Sequence, residues 1–553
     1  MGDAATILEF LAWGRRKNPD YCGDLSPGDV PAEVEDEDGR GHGLGLGLGP
    51  DRASAEAYLR LLLPRRLLLE RLVSFHCERV LWYHNSFDAE KFHDELQTFY
   101  RVAQGQPGHP SVDPQWLALL FSIITGALAC APRNLAQTWG FPSWEQTTLA
   151  QRWFKAVTTC LHIADYTAVH SPYALQAIGT LTMSAHLLGF SNSLSVLIAS
   201  AARIGQCLGL QRTRAPAGAW RQLCIQDWFS IPFFESYVIS RPSRGDIGAD
   251  ETRNDEPTRG AYSHFFYKVA ALLSSLHDGM QNAHTLYTRY EQVLEHDRQL
   301  RTLATQGLPR FLQNTPMQPD WPCYVPWARR CLAISLSHKV IMIHRKFLAL
   351  SFTNPVFGRT RRTCVAAART IIKEQKGVRD DAGGGPVLWI QQAFGVTASI
   401  ILCLDLFHRP RTASDTEAAH HRQLIHDGLE MLADGPSNMI AKRGVGLLEA
   451  LLAREPRQAT DLDLAGIIRG VCEQTASTAS PGTTVIGRDS DSAEWPPGAE
   501  WSTIRRDEVE MEGDGFAGGL GLGIEMGVGM EGHGGREERE TLEDILSLAA
   551  SYI

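Results

Sequence analysis

The segment from Tyr173 to Arg212 constrains the fold more than any other part of the sequence. Ser171 and Pro172 precede it, and a hydroxyl side chain followed by proline is a typical start of a helix. In its second half, apolar residues recur at the three- and four-residue spacing of one buried helical face. These residues are Leu194, Leu197, Ile198, Ala201, Ile204 and Leu208. Gly205 is small enough for a close helix contact, and Gly209 is a typical helix terminator. The segment therefore predicts two packed helices.

The same helical periodicity extends along the chain. It predicts helices near residues 54–83, 88–103, 114–131, 143–165, 171–188, 193–208, 219–240, 262–306, 326–351, 361–376, 387–408, 414–433 and 439–454. No convincing set of alternating strands is present, which disfavours an α/β enzyme core. Because the 553 residues include 44% hydrophobic side chains, the chain can bury a large core. No repeat of fixed period is found, so we predict an all-α, irregular multi-helix array instead of a regular solenoid.

Charge and composition divide the chain into three regions. We predict an N-terminal segment with an acidic, Gly-rich linker at 1–52, a helical domain at 53–475 and a low-complexity acidic tail at 476–553. Residues 489–553 carry 16 acidic and 4 basic side chains. The Ser, Thr, Pro and Gly content of the tail predicts disorder, because such a segment buries little apolar surface. The helical domain has no Lys/Arg cluster with interleaved aromatic residues, which argues against a nucleic-acid surface there.

Four sequence blocks resemble the fungal-specific transcription factor regulatory domain, the middle homology domain of zinc binuclear-cluster regulators. One block is 173–212, which contains the string RIGQCLGL at 203–210, and the others are 62–92, 226–247, and 344–352 with 364–372. Two departures are Ser240, where the family has glycine, and Lys346, where it has proline. The blocks follow the family's order and together cover roughly residues 55–455. The resemblance implies a helical regulatory domain that acts in transcription.

The DNA-binding module of that family is missing from this chain. The module needs six cysteines in two close-spaced triplets, because six thiolates bridge two zinc ions. The chain has 11 cysteines without any Cys-x-x-Cys pair, and the two closest are Cys323 and Cys331. This departure argues against direct sequence-specific DNA binding by the chain. An upstream exon that encodes the zinc cluster is an open alternative.

Candidate metal ligands and catalytic groups are few. The densest set of possible ligands comprises His76, Cys77, His84, Asp88 and His93. A zinc site would need three of them to converge, whereas the many aromatic residues nearby favour a buried polar network. A second group of histidines, His420, His421 and His426, lies in a polar helix that we expect to face solvent. No phosphate loop, nucleophile elbow or zinc-protease helix is found. We therefore predict no enzyme activity, no cofactor and no metal.

An aromatic helix precedes the Arg241-Pro242 step and permits two interpretations. Its aromatic residues are Trp228, Phe229, Phe233, Phe234 and Tyr237. They could form the wall of an effector pocket, as the resemblance suggests for some regulators. They could equally fill the core, with the proline ending the helix. The core interpretation is favoured, because aromatic stripes on helices are usually buried.

The end of the chain carries the sharpest local functional signal. Thr541 can cap a helix in which one apolar face is formed by Leu542, Ile545, Leu546, Ala549 and Ile553. Acidic residues at the positive end of this helix stabilise it. An acidic amphipathic helix on a low-complexity tether is typical of an activation segment that folds into a coactivator groove. The alternative is a helix that packs on the protein's own body.

These observations favour a fungal transcription regulator in the nucleus, which the resemblance links to a metabolic or secondary-metabolite gene cluster. Expected partners are the transcription machinery or a coactivator, together with a DNA-binding partner or a second copy of the chain. Membrane association is not expected, because the uncharged apolar run 116–131 is shorter than the roughly 20 residues that span a bilayer. Unpaired cysteines and the lack of a secretory signal predict a reducing compartment. The alternative function is a helical metabolite-binding protein or enzyme without a transcriptional role.

Overall fold

Every regular element in the part of the chain that the structure describes is a helix. The structure is a computed structural model, and it describes residues 8, 9, 12, 13, 52–212, 218–241, 256–380, 385–409, 415–434 and 439–453. All of these residues belong to one unit with a continuous hydrophobic core. The predicted all-α array is confirmed for the described residues.

The first twelve helices belong to the N-terminal half. They are α1 (Arg52–Leu62), α2 (Arg66–Arg79), α3 (Leu81–His84), α4 (Ala89–Val102), α5 (Pro114–Cys130), α6 (Arg133–Thr138), α7 (Ser143–Ile163), α8 (Pro172–Leu181), α9 (Ala185–Leu188), α10 (Ser191–Cys207), α11 (Gly218–Phe229) and α12 (Ile231–Phe234). The others are α13 (Arg259–Asn282), α14 (Leu286–Gln306), α15 (Val325–Thr353), α16 (Gly358–Asp380), α17 (Trp389–Phe407), α18 (Asp415–Asp434) and α19 (Met439–Leu452). Short 3₁₀ turns lie at Leu210–Arg212, Arg310–Leu312 and Pro355–Phe357.

Most predicted helices are present, but four of them are broken. The helix predicted at 219–240 divides at Ser230 into α11 and α12 and ends at Phe234. The helix predicted at 54–83 is interrupted before α2 at Pro64, which has no N–H to donate. The helix predicted at 262–306 divides at Thr285, whose side chain caps α14. The helix predicted at 171–188 becomes α8 and α9, because Thr182 to Ser184 form tighter turns. Breaks of this kind depend on local capping that periodicity does not report.

The helical pair formed by α8 and α10 agrees with the sequence analysis. Ser171 caps α8 by accepting a hydrogen bond of 3.3 Å from the backbone N–H of Tyr173. On the predicted apolar face of α10, Leu194, Ile198, Ala201 and Ile204 are buried and Leu197 is half-buried. Leu208, the residue that caps the end of the helix, is 37% exposed. Gly209 has a left-handed φ of 74°. A Cβ atom on Gly205 would lie 2.6 Å from Cε3 of Trp220 in α11. Gly205 therefore allows α10 and α11 to pack closely.

Two very apolar helices form the centres of the two halves. Asp113 caps α5 through a 2.8 Å hydrogen bond from the N–H of Gln115, and α5 packs against α2, α7 and α8. In the second half α17 packs against α15, α16, α18 and α19. By length and composition α17 could cross a membrane, but 94% of its apolar window is buried inside the fold. Helix α17 is therefore a core helix. The apolar run 116–131, most of which lies in α5, is likewise buried inside the fold.

One expectation about α18 is wrong. His421 was expected on a solvent-facing surface, yet its side chain is fully buried. Its Nδ1 atom lies 3.2 Å from Oδ2 of Asp405 in α17, and its Nε2 atom accepts a hydrogen bond of 3.1 Å from Arg369 in α16. Three helices thus meet at a buried polar cluster. The polar composition of α18 masked this, because a buried histidine with charged partners has the same sequence pattern as an exposed one.

Candidate functional site

The N-terminal segment packs into the helical body beside α15 and α17. Its described residues Leu8, Glu9, Ala12 and Trp13 are all buried, with at most 5% of each exposed. Their spacing places them on one face of a helical turn, in which the N–H of Trp13 donates to the carbonyl of Glu9 at 3.0 Å. We call these four residues the N-terminal latch. The groove that holds them is called the seat, and it is formed by Phe233, His338, Arg345, Trp389, Phe394 and Thr397. These four residues of the latch belong to the N-terminal segment that was predicted ahead of the Gly-rich linker, and neither the latch nor the seat was predicted from the sequence.

A buried carboxylate anchors the latch. His338 Nε2 and Thr397 Oγ1 each lie 2.9 Å from Glu9 Oε1, and Arg345 donates to Oε2. Burial by itself would raise the pKa of Glu9. The Arg345 guanidinium and the hydrogen bonds from His338 and Thr397 outweigh burial and lower this pKa to about 2. Glu9 is therefore ionised, and Arg345 is its charged partner.

His338 interacts with Glu9 as a neutral ring. Burial lowers the pKa of His338 to about 4, although the Glu9 hydrogen bond and charge oppose this shift. The imidazole also stacks on Phe394 of α17, with ring centroids 3.7 Å apart and an interplanar angle of 5°. Near neutral pH the contact is thus a hydrogen bond from His338 to a carboxylate. The single strong ion pair of the seat is formed by Glu9 and Arg345.

An aromatic slot receives the second anchor of the latch. The Trp13 ring centroid lies 4.9 Å from that of Phe233, 5.6 Å from that of Trp389 and 5.9 Å from that of Phe394. The Trp389 contact is edge-to-face, a geometry that aromatic pairs prefer. Ser191 Oγ donates to the Trp13 carbonyl at 3.3 Å. The seat therefore combines one charge site and one indole site.

A cavity of about 50 Å³ adjoins the slot, and Trp13 forms part of its wall. The other lining residues are Tyr83, His186, Gln222, Ile225, Gln226, Phe229, Ser230, Phe233, Tyr262, Phe266, Ser335, Lys339, Met342, Trp389, Ile390 and Phe394. One water needs about 10–15 Å³ of such volume, so the cavity has room for a few waters. Typical small-molecule sites occupy about 300–1,000 Å³.

Lys339 is the unusual ionisable group of this cavity. Its ammonium nitrogen lies 3.8 Å from the centroid of the Phe229 ring and 3.3 Å from Sδ of Met342. Burial lowers the pKa of Lys339 to about 7, against the opposing charge of Glu9. With this pKa the amine is neutral in part of the molecules near neutral pH. It can donate to, or accept from, a small polar molecule in the cavity.

The aromatic residues between Trp228 and Tyr237 were predicted to form either the wall of a pocket or part of the core, and they do both. Phe229 and Phe233 line the cavity. Trp228 is fully buried and donates a 2.8 Å hydrogen bond to the carbonyl of Ile239, as the core interpretation expects. Phe234 is 51% exposed, and Tyr237 donates to Asp278 at 2.9 Å. The aromatic residues are thus divided between cavity wall, core and surface.

The histidine-rich block forms a buried polar pair. The Nε2 atoms of His76 and His84 lie 3.0 Å apart, and His84 Nδ1 lies 2.9 Å from Ser86 Oγ. Burial lowers the pKa of His76 to about 3, and burial together with His76 lowers the pKa of His84 well below its usual value. Asp88 caps α4, and His93 is exposed. Within the described ranges no three His, Cys, Asp or Glu side chains are grouped as metal ligands.

The predicted activation residues Leu542, Ile545, Leu546 and Ala549 lie outside the described residues. Their role stays a prediction. The same holds for residues 14–51 and 454–541, so the predicted boundaries of the linker and tail are untested.

The chain is similar in sequence to a curated fungal protein and in fold to a chain of a solved structure. No protein-family model matches the chain. The Agnestins biosynthesis cluster transcription factor AgnL11 of Paecilomyces divaricatus is 23% identical over 370 residues, which cover 58% of this chain and 52% of the relative. The chain thus spans about half the length of this curated relative. A chain in the structure of the K. lactis CBF3 core superposes with a TM-score of 0.50 and 12% identity, covering 74% of this chain and 86% of that one. At this identity the likeness shows a related helical fold.

Proposed function

We propose that this protein is a fungal transcription regulator that controls a metabolic or secondary-metabolite gene cluster in the nucleus. The observation that carries the proposal is the 370-residue similarity to a biosynthesis cluster transcription factor. The helical fold, which is similar to a chain of the CBF3 core, is consistent with it. Fold alone does not define function, so the sequence relative has the greater weight.

The proposed mode of action is through protein–protein contacts. The helical region 53–475 would serve as the regulatory domain, and the tail 476–553 would present Leu542, Ile545, Leu546 and Ala549 to a coactivator or to the transcription machinery. A DNA-binding partner would direct the complex to its promoters. In this division of roles, the body senses or assembles partners and the acidic tail recruits the machinery.

The competing metabolite-binding or enzymatic function has less support in the described residues. The cavity of about 50 Å³ beside Trp13 is several times smaller than a typical small-molecule site, and two larger depressions, of about 460 and 530 Å³, are open at the surface. The buried histidines His76 and His84 contact each other, and His84 also contacts the hydroxyl of Ser86, which is buried as well, so this set is not accessible to a substrate. At the cavity the pKa of Lys339 is lowered and the pKa values of Tyr83 and Tyr262 are raised by burial, but altered pKa values by themselves do not make a catalytic constellation.

A tethering experiment tests the proposed function. The full chain is fused to an unrelated DNA-binding domain and expressed in a fungal host with a reporter that carries the matching DNA sites. We expect a change in reporter transcription that disappears when the sites are removed. Deletion of the gene should also change the transcripts of a defined gene set. A silent reporter together with an unaltered transcript profile would refute the proposal.

A further inference from the structure

The seat has the features of a peptide-recognition site. Residues 14–51 separate the latch from α1 in sequence, whereas its partners His338 and Thr397 lie in α15 and α17. The latch therefore contacts residues 329 and 388 positions away in sequence, as a separate peptide would. Short helical segments are commonly recognised by an apolar groove with a few anchor side chains.

Two anchors supply the specificity of this contact. Arg345 and His338 select an ionised carboxylate, because Glu9 is buried to 1% exposure and has three donors. The aromatic slot selects an indole, which is 5% exposed when Trp13 is seated. Trp and Arg are enriched among residues that dominate binding energies, especially in desolvated positions. A seat of this kind recognises a helical turn with an acid and a tryptophan four residues later.

We propose that the seat binds the Leu8–Trp13 segment in trans as well, so that two copies of the chain exchange their N-terminal latches. The occupant is known from the structure itself, since the segment in the seat is part of this chain. A second copy presents the identical segment, and exchange preserves every contact of the seat. Swapping an identical element is a low-cost route to a dimer. The inference does not depend on the transcriptional role.

A peptide titration tests recognition in trans. The probe is a fluorescein-labelled peptide of residues 1–17, added to the full chain with Glu9→Ala and Trp13→Ala, in which the cis latch is weakened but the seat is intact. We expect saturable binding by fluorescence anisotropy, with affinity about tenfold or more above that for the wild-type chain, whose seat is occupied. A peptide with Glu9→Gln should bind more weakly. No saturable binding to the latch variant would overturn the proposal.

The exchange itself is tested with complementary variants of the full chain. One copy has the defective latch, and the other has a defective seat through Arg345→Gln; circular dichroism verifies that both are folded. If Arg345→Gln is unfolded, Thr397→Val replaces it as a milder seat defect. Light scattering after gel filtration should show dimers for wild type and for the mixture, and monomers for the latch-defective variant alone. Monomers throughout, even with peptide binding, would exclude the second copy as occupant.

Discussion

Gly205 lies where α10 and α11 approach each other, and the space for a side chain there is filled by Trp220. Because a Cβ would already lie 2.6 Å from Trp220 Cε3 and 3.1 Å from Leu175 Cδ2, Gly205→Leu must displace a rigid indole. Overpacking of this kind typically costs about 1–3 kcal/mol, and we expect at least that loss in the free energy of unfolding. Urea denaturation followed by circular dichroism measures it.

The matched control for this change is Val196→Leu in the same helix. Val196 is 67% exposed, so an added methylene there has room. Its effect should stay within about 0.5 kcal/mol, the usual range for surface substitutions. Equal stabilities of wild type and Gly205→Leu would show that the α10–α11 contact does not have this geometry.

The lowered pKa of Lys339 predicts that the stability of the chain depends on pH in an unusual way. The pKa of its amine is lowered from 10.5 to about 7 in the folded chain. Between these values the unfolded chain binds a proton that the folded chain does not, so the free energy of unfolding rises with pH. The slope from this group is at most about 1.4 kcal/mol per pH unit. Below pH 7 the folded chain must bury the ammonium, and this destabilises it.

Lys339→Met removes this group but retains an apolar chain of similar length. We expect the variant to be more stable than wild type at pH 6, with the difference shrinking as the pH rises to 9. Urea denaturation at four pH values measures the difference, and Lys442→Met, at an exposed position of α19, is the control. A difference that does not vary with pH would contradict the lowered pKa.

At the scale of elements, a buried carboxylate joins α16, α17 and α18. The Asp405 carboxylate accepts hydrogen bonds from Arg361 Nε at 2.7 Å and from Arg409 Nε at 2.9 Å, and His421 Nδ1 lies 3.2 Å from Oδ2. Burial raises the pKa of Asp405, but its interactions with His421 and the two arginines outweigh burial and hold the pKa well below the usual value. The carboxylate thus stabilises the fold when ionised.

Asp405→Ala should therefore destabilise the chain by about 3 kcal/mol, because it leaves partly buried cations without their partner. Glu417→Ala is the control, since Glu417 contacts Arg369 and Arg409 but its side chain is 47% exposed. Exposed ion pairs contribute about 0–1 kcal/mol. Chemical denaturation measures the loss in the free energy of unfolding for each variant. If the two variants lose similar amounts, Asp405 does not form a buried ion-pair cluster.

Local signals account for what the sequence predicted about these elements. Asp113 and Pro114 precede an uninterrupted apolar run, and α5 begins and is buried where these features require. The seat could not be predicted in this way, because Glu9 bonds to His338 and Thr397 across 329 and 388 positions of sequence. The spacing of the four latch residues is a weak sign of one helical face. Only the fold shows what that face contacts.

At the scale of the whole molecule, we expect the purified chain to bind DNA weakly and without sequence preference. The chain has no Cys-x-x-Cys pair to hold a zinc cluster, and sequence-specific binding needs groove-reading side chains in addition to phosphate contacts. Fluorescence anisotropy with promoter duplexes at several salt concentrations tests this. Salt-dependent binding to one defined short site, with a dissociation constant of about 10 nM or below, would contradict it.

The acidic tail gives the last prediction, which separates an activation segment from a structural helix. An isolated helix of this length is marginal in water, so we expect it to fold only when a partner supplies a groove. Residues 489–553 fused to an unrelated DNA-binding domain should activate a reporter in a fungal host. Changing Leu542, Ile545 and Leu546 together to Ala should abolish most of that activity, because these side chains form the apolar face.

The control for the triple change is Ser547→Ala with Ser551→Ala, which leaves Leu542, Ile545 and Leu546 in place. In the full chain, neither set of substitutions should alter the melting temperature, because the helical body has its own continuous core. A silent fusion would show that the tail does not recruit the transcription machinery. A lower melting temperature of the triple variant would instead show that this helix packs on the body, so the two roles are distinguished by one pair of measurements.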